Sequence, residues 1–318
     1  MDFLGGNKGW TVVDFGDGVS PCAVSVKTAV RSGERPQVLA VAEHPGSVDI
    51  EADAAALREW LRQLRRSLPV MVTLARSQYR LQVMSEPAVP QRELATSLRW
   101  ALSAENDATL EDFAMAWMRI PTEDALPSRQ RQVYTVTTAA TWLTDRLAAW
   151  RQGGLRPKVV DIRETALRNL AGALERSGEG LALVSADGEG VSMVFTYQGS
   201  LILDRFIEHR QAEPGTSEDA PARVRLYERV AQQLARSADI VGRNFSFVPL
   251  SRVVVAAAPL WQGLADVLAA QVPLQVEPFD LGQVFDLADV PALANSPTLQ
   301  SRCLVALGAT LRSARTAE

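Results

Sequence analysis

Histidine and cysteine are almost missing from this chain: two of each stand among 318 residues. His44 and His209 are too few for a histidine-rich metal site and make a Ser-His-Asp triad an unfavourable reading. Both are expected as ordinary surface or loop residues. Cys22 and Cys303 lie far apart and form no disulfide framework, so a reducing, cytoplasmic setting is the simple expectation. Aromatic residues make up only 6% of the chain. They fall mostly on apolar faces, which disfavours stacking platforms for nucleic acid, and the seven tryptophans are read as packing residues. A basic excess is lacking too. The net charge of −4 gives no general attraction to phosphate, and nucleic acid is not an expected partner. No apolar run reaches the roughly 18 residues of a membrane span. The opening Met1-Asp2-Phe3-Leu4-Gly5-Gly6 lacks the basic-then-apolar order of a secretory signal.

What is present is an ordinary folded composition, 47% hydrophobic and 22% charged. The length suits two lobes of roughly 150 residues each. The first segment predicts strands at Trp10–Phe15, Ala23–Thr28 and Gln37–Ala42, with Gly16-Asp17-Gly18 turning the chain between the first two. Leu57, Trp60, Leu61, Leu64 and Leu68 predict one helix with an apolar stripe. Its other face, with Arg58, Arg62, Arg65 and Arg66, reads as solvated. Val70–Ala75 predicts a buried strand. The middle has another rhythm. Leu94, Leu98, Ala101 and Leu102 predict a helix, and Phe113–Ile120 and Gln132–Thr137 predict two strands. A helix with Leu143, Leu147 and Trp150 stops at Gly153-Gly154, and Lys158–Ile162 is a further strand.

The second half repeats this layout without repeating the residues. Leu181–Ser185 predicts a strand, Asp187-Gly188-Glu189-Gly190 a turn, and Val191–Tyr197 alternates as a half-buried strand. Gln198-Gly199 turns a hairpin into Leu201–Phe206. A helix is expected over about Arg223–Val241, a strand at Val253–Ala257, and a helix through Leu260, Leu264, Val267 and Leu268. The expectation is an α/β, two-lobed actin/Hsp70/sugar-kinase-like fold with an inserted α/β subdomain in the first lobe. The boundaries read 1–80 for the first lobe and 81–157 for the insert. They continue with 158–178 for a connecting helix region, 179–300 for the second lobe, and 301–318 for a C-terminal helix returning to the first.

Several stretches carry a family resemblance. They include Val12-Val13-Asp14-Phe15-Gly16, Ser77-Gln78-Tyr79, Glu93-Leu94-Ala95 through Leu98-Arg99-Trp100, and Arg131-Gln132-Val133-Tyr134. They continue with Val159-Val160-Asp161-Ile162, Ala166-Leu167-Arg168-Asn169-Leu170, Val276-Glu277-Pro278-Phe279-Asp280-Leu281 and Val305-Ala306-Leu307-Gly308-Ala309. In that order and spacing the chain resembles the PilM and MshI proteins of type IV pilus assembly, MshI most closely. The resemblance implies a cytoplasmic docking subunit, peripheral to the inner membrane through a partner. It also implies a first-lobe groove for a short cytoplasmic peptide of a PilN-like bitopic protein, with pilus motor or platform proteins as further partners. Leu94, Leu98, Trp100, Val133 and Tyr134 match across the insert, and most are expected to pack its core. A GspL-type secretion protein shares the implied fold. That family continues into a transmembrane helix, whereas this chain ends on the polar run from Arg312 to Glu318.

Active members of the superfamily hold nucleotide between two glycine-containing turns, with an acid ordering the Mg²⁺ water shell. The matching positions here are Asp14, Gly16 and Gly18 in the first turn and Asp187 and Gly188 in the second. They are the expected vestigial nucleotide pocket. Asp17 stands where a small hydroxyl residue belongs, and a carboxylate facing phosphate is repelled on a scale of roughly 4 kcal/mol at ~4 Å. Ser185 takes the place of the second acid, although a shift of one residue makes Asp187 a substitute. Ala256-Ala257-Ala258 replaces a glycine pair beside the adenosine. No cofactor and no catalytic residue are therefore expected. A plain hairpin also accounts for Asp14-Phe15-Gly16-Asp17-Gly18, and weak ATP/Mg binding, or an active ATPase or phosphotransferase, stays open as the alternative.

Overall fold

Alternate residues of the first strand belong to different cores, and that period of two organises the molecule. The computed structural model describes residues 9–16, 21–29, 33–44, 53–64, 68–106, 108–122, 130–209 and 220–312. In β1 (Gly9–Asp14), Val12 enters one apolar cluster and Val13 another. β1 pairs antiparallel with β2 (Cys22–Lys27), which pairs antiparallel with β3 (Gln37–Glu43). On its other side β1 pairs parallel with β4 (Val70–Leu74), and β4 with β8 (Pro157–Ile162), giving a five-stranded sheet. Val24, Val26 and Met71 share the face of Val12, while Ala23, Val72 and Leu74 share that of Val13. A mixed sheet covered on both faces needs apolar residues on both, hence the nearly continuous valine runs.

The Val13 face is closed by α1 (Ala54–Trp60) and α3 (Ala140–Gln152), which bring Leu57, Trp60 and Trp150 into the cluster. Trp150 stacks on Phe15 with ring centroids 5.5 Å apart. The helix expected through Leu68 is shorter than its stripe. Asp53 caps α1 by accepting from the Ala55 and Ala56 amides, and a 3-10 turn takes over at Leu61–Gln63.

The middle segment builds a separate three-stranded antiparallel sheet in the order β5 (Arg80–Ser85), β7 (Gln132–Ala139), β6 (Phe113–Arg119). α2 (Gln91–Asn106) covers it with Leu94 and Leu98, which meet Val133, Met84, Met115 and Trp117. Trp100 departs from the expected packing role: it is 60% exposed. Two residues beyond Leu98 is about 200° around the helix, so Trp100 faces away from that stripe.

α4 (Arg163–Leu174) leads from β8 into the second sheet, whose order is β11 (Ser200–Glu208), β10 (Gly190–Tyr197), β9 (Gly180–Ala186), β12 (Leu250–Ala257), β13 (Gln275–Pro278). Its pairings run antiparallel, antiparallel, parallel and parallel, the pattern of the first sheet. α5 (Ala220–Asn244) and α6 (Leu264–Gln271) close one face over Val184, Phe195 and Val255. The helix expected to include Leu260 is broken. Pro259–Trp261 forms a 3-10 turn, and Gly263 at φ 86° lets the chain reverse before α6 starts, leaving Leu260 38% exposed.

The remaining short helices, α7 (Leu281–Val284), α8 (Pro291–Ala294) and α9 (Pro297–Arg302), lead to α10 (Leu304–Thr310). α10 packs between α4 and the first sheet at β1, β2 and β4. A Cβ on Gly308 would lie 2.4 Å from the Ala166 carbonyl oxygen, so glycine is what allows this close helix crossing. Leu167, Leu170, Leu304 and Leu307 join Val12 of the first sheet and Leu183 and Val254 of the second in one cluster. The lobes thus share a core built on α4 and α10.

Candidate nucleotide cleft and docking groove

β1 ends at Asp14, half-buried beside the parallel strand β4. The fully buried Thr73 donates its hydroxyl to Asp14 Oδ1 at 2.7 Å, and the Gly16 amide points to the same oxygen at 3.4 Å. Burial raises the Asp14 pKa above the usual aspartate value, opposed by the Thr73 hydrogen bond and the positive charge of Arg163. Gly16 has φ 65°, as a tight turn requires. Gly18 and Asp17 lie outside the described residues.

The second turn joins β9 to β10. The Asp187 amide donates to the Gly190 carbonyl at 3.0 Å, and the Glu189 amide donates to Asp187 Oδ1 at 3.0 Å, an Asx-type closure. Gly188 sits half-buried inside it. Behind the turn, the buried Trp261 donates its indole N–H to the Asp187 carbonyl at 2.8 Å. Ala258 donates its amide to the Ala186 carbonyl at 2.8 Å, so the alanine run closes directly onto the end of β9.

Between the turns stands a residue that the sequence reading passed over. Arg163, the first residue of α4, is only 6% exposed. Its Nε donates to Ser192 Oγ at 2.9 Å, one terminal nitrogen pairs with Asp187 Oδ2, and the other lies 3.6 Å from Glu189 Oε2. Burial works against its charge, but Asp187, Glu189 and Asp14 outweigh that and raise its pKa above the ordinary arginine value. One guanidinium thereby brings the predicted Asp14 and Asp187 into a common electrostatic site, and Thr73, Glu189 and Ser192 complete it. A signal was present in the sequence. A helix N-terminus favours anions, so an arginine at the first helical position after an apolar strand needs a specific acidic partner.

The neighbouring Glu164 is 3% exposed and also paired. It accepts from the Arg76 guanidinium, and from the Tyr79 hydroxyl at 2.5 Å. Burial, and then the Glu164 charge, push the Tyr79 pKa well above the tyrosine range. Arg76 also lies over the Phe206 ring of β11 at 4.4 Å, so this cluster reaches from the first lobe to the second. Asp161 accepts from Arg312 at 3.0 Å, tying the residues after α10 to the end of β8. The two histidines are half-buried against tryptophans, His44 on Trp60 and His209 on Trp261. Among the described residues no His/Cys/Asp/Glu group could hold a metal ion, and no helix is long and apolar enough to cross a membrane.

Open space in the first lobe lies elsewhere. A groove of about 720 Å³ runs where the inserted sheet meets α3, walled by Ser77, Tyr79 and Thr138 and by the apolar Leu102, Phe113 and Trp142. The Thr138 hydroxyl donates to the Gln78 carbonyl at 2.7 Å, and Gln78 Oε1 accepts from the Ala75 amide at 2.9 Å, so one wall is held by its own hydrogen bonds.

No protein-family description matches the chain, and no curated protein matches it. Solved structures do. The chain is similar to the PilM-PilN type IV pilus biogenesis complex at 20% identity and a TM-score of 0.69, over 96% of this chain and 99% of that one. It is similar to the cytoplasmic domain of EpsL, an inner membrane component of the type II secretion system of Vibrio cholerae, at 15% identity and a TM-score of 0.52. That match covers 96% of this chain and 95% of the other. A Bacteroides thetaiotaomicron protein with an actin-like ATPase fold aligns at 12% identity and a TM-score of 0.48. The fold is actin-like, with mixed α/β lobes.

Proposed function

We propose that this chain is a docking subunit of a type IV pilus assembly of the MSHA kind, and that its cleft is not a working ATPase. The observation that carries this is a contrast within the molecule. The cation position between the two turns is filled by the chain's own Arg163. A larger open space in the first lobe is instead the groove beside α3. An active site must receive a metal–nucleotide there, and a fixed guanidinium competes with Mg²⁺ for the same carboxylates. The groove has the make-up of a peptide site, with apolar and aromatic side chains for anchors, hydroxyl and amide groups for the backbone, and the charged Arg80 and Asp112 for polar ends.

In this reading the occupant is a short N-terminal segment of a bitopic inner-membrane protein like PilN, and the likeness to the PilM-PilN complex supports that choice. Membrane tethering of such a peptide raises its effective concentration, so modest intrinsic affinity suffices to hold the chain at the membrane face. A secretion complex served in the manner of EpsL is the nearest alternative, supported by the second structural likeness.

The test is a calorimetric and Trp-fluorescence titration of the full chain with the PilN-like partner's cytoplasmic peptide, beside a titration with Mg-ATP. Saturable peptide binding that Thr138→Arg abolishes is expected, with Mg-ATP binding weaker than ~1 mM, or about −4 kcal/mol. Absence of peptide binding would remove the docking reading. ATP turnover that disappears in Asp14→Ala would restore the enzyme.

A further inference from the structure

We infer that Cys22 and Cys303 form a redox modification site: exchange with a low-molecular-weight disulfide joins them in an intramolecular bond that fastens the C-terminal helix to the first-lobe sheet. These are the chain's only cysteines. Although they are remote in sequence, the fold brings both into one apolar cluster, where they are 1% and 0% exposed. Both are free thiols, and each adds to the electrostatic surroundings of the other. Packing alone asks only for a small apolar residue at each place and does not require the two sulfurs to meet.

The surroundings bring the two positions together from both sides. Arg302, next to Cys303, forms an ion pair with Glu43, and Glu43 is the cross-strand neighbour of Cys22 in the β2–β3 pairing. The Cys303 amide donates to the Leu299 carbonyl at 3.0 Å, and the Leu307 amide donates to the Cys303 carbonyl at 2.8 Å, so α9 and α10 both hold its backbone. On the other flank, Cys22 stands opposite Asp14 in the β1–β2 pairing. A bond at Cys22 would therefore join the terminal helix to the strand position that carries the first turn of the cleft.

The chemistry balances without a metal. One thiol loses its proton and attacks the small disulfide RSSR, forming a protein–S–SR bond and releasing RS⁻, which takes up a proton. The second thiol then loses its proton and attacks the protein sulfur, forming the Cys22–Cys303 bond and releasing the second RSH. The two protein thiols are oxidised by two electrons and RSSR is reduced to two RSH. Burial, followed by the neighbouring Cys303 and the charge of Asp14, pushes the Cys22 thiol well above the ordinary range, with Arg302 opposing. Exchange therefore follows opening of the segment from α9 to α10, because the thiolate is the attacking species.

The full chain is incubated with oxidised glutathione at about pH 8, near the ordinary thiol range, and weighed intact after an acid quench. The expected product has lost two hydrogens, carries no glutathione, and yields a joined Cys22–Cys303 peptide. It should melt roughly 5–10 °C above the reduced chain, a rise that dithiothreitol reverses. Cys22→Ser and Cys303→Ser should each stop at one glutathione adduct with no such rise. Two glutathiones on the wild-type chain, intermolecular disulfides alone, or a joined product that melts no higher would overturn the proposal. If the native chain does not react, the incubation is repeated in urea at the foot of unfolding, and thiols that alkylate there without joining also overturn it.

Discussion

Replacing Arg163 by alanine leaves Asp187, Glu189 and Asp14 around a space without their cation, so the variant measures how much the internal ion stabilises the fold. Removing one partner of a buried ion pair costs about 3–5 kcal/mol, because the remaining charges stay desolvated. The side chains here are 7%, 17% and 10% exposed for Arg163, Asp187 and Glu189, so water reaches the carboxylates partly and the lower end applies. The Ser192 hydroxyl also loses its partner. We expect a loss of about 3 kcal/mol, or a Tm lower by roughly 4–5 °C for a chain of this length. Lysine keeps the charge but not the fork that engages Ser192, Asp187 and Glu189 together, and Arg163→Lys should fall between. The double variant Arg163→Ala/Asp187→Asn should lose less than Arg163→Ala alone, because one stranded charge is gone. Mg²⁺ should then rescue the single variant: a site with Kd of about 1 mM returns about 1.4 kcal/mol at about 10 mM. The assay is urea unfolding followed by fluorescence, with and without Mg²⁺. An Arg163→Ala chain within about 1 kcal/mol of wild type, with no Mg²⁺ response, would refute the internal-cation argument.

Asp14 gives a pH test. Its folded pKa is raised above 3.8 by burial, so its contribution to stability is fully present below that value and is lost as the pH rises through the folded pKa. Asp14→Asn, which can still accept from Thr73, should be more stable than wild type at neutral pH. That gain should vanish towards pH 3.8, as read from paired denaturation curves. Gly308→Ala puts a methyl group 2.4 Å from the Ala166 carbonyl and should cost about 1–3 kcal/mol in the same assay; an unchanged midpoint would mean that α10 can back away from α4. Trp100→Ser should leave stability within about 0.5 kcal/mol, since its ring is 60% exposed.

Most strands could be read because each carries its own signal; β13, four residues with neither an apolar run nor a clear alternation, could not. Val191, Met193 and Phe195 alternate with Ser192, Val194 and Thr196, but the structure sends the first set to the α5–α6 core and Val194 to the shared core, so β10 is buried on both faces and not half-buried as its period of two suggests. The second glycine turn could be read for the same local reason. Helix ends were less visible. Nothing in the stripe Leu57–Leu68 says that a 3-10 turn follows Trp60, and Gly263 alone separates Leu260 from α6. Trp100 was misplaced because its matching neighbours Leu94 and Leu98 do pack inward, whereas its own angle on α2 does not. Such features are settled by tertiary contact, which overrides local propensity.

The cleft shows the same division more sharply. Asp187 sits beside Gly188 in a turn that sequence can find, and Asp14 ends β1 two residues before Gly16, yet both face the charge of Arg163, which belongs to neither segment. As a candidate for orienting water, Asp187 needs a free carboxylate. Instead Oδ2 holds the guanidinium and Oδ1 accepts the Glu189 amide, so both oxygens are engaged before any ligand arrives. In a metal–nucleotide site the cation comes and goes with its ligand, and closure between the lobes can follow it. A guanidinium anchored on α4, the helix both lobes share, is present at all times. On the proposed reading, the interaction it makes with the second turn does not depend on nucleotide. On the proposed reading, the variable contact of this chain is therefore the groove beside α3, and a peptide there should bind with the same affinity whether or not ATP is added. An ATP-dependent change in peptide affinity of tenfold or more, about 1.4 kcal/mol of coupling, would show that the cleft still communicates with the groove.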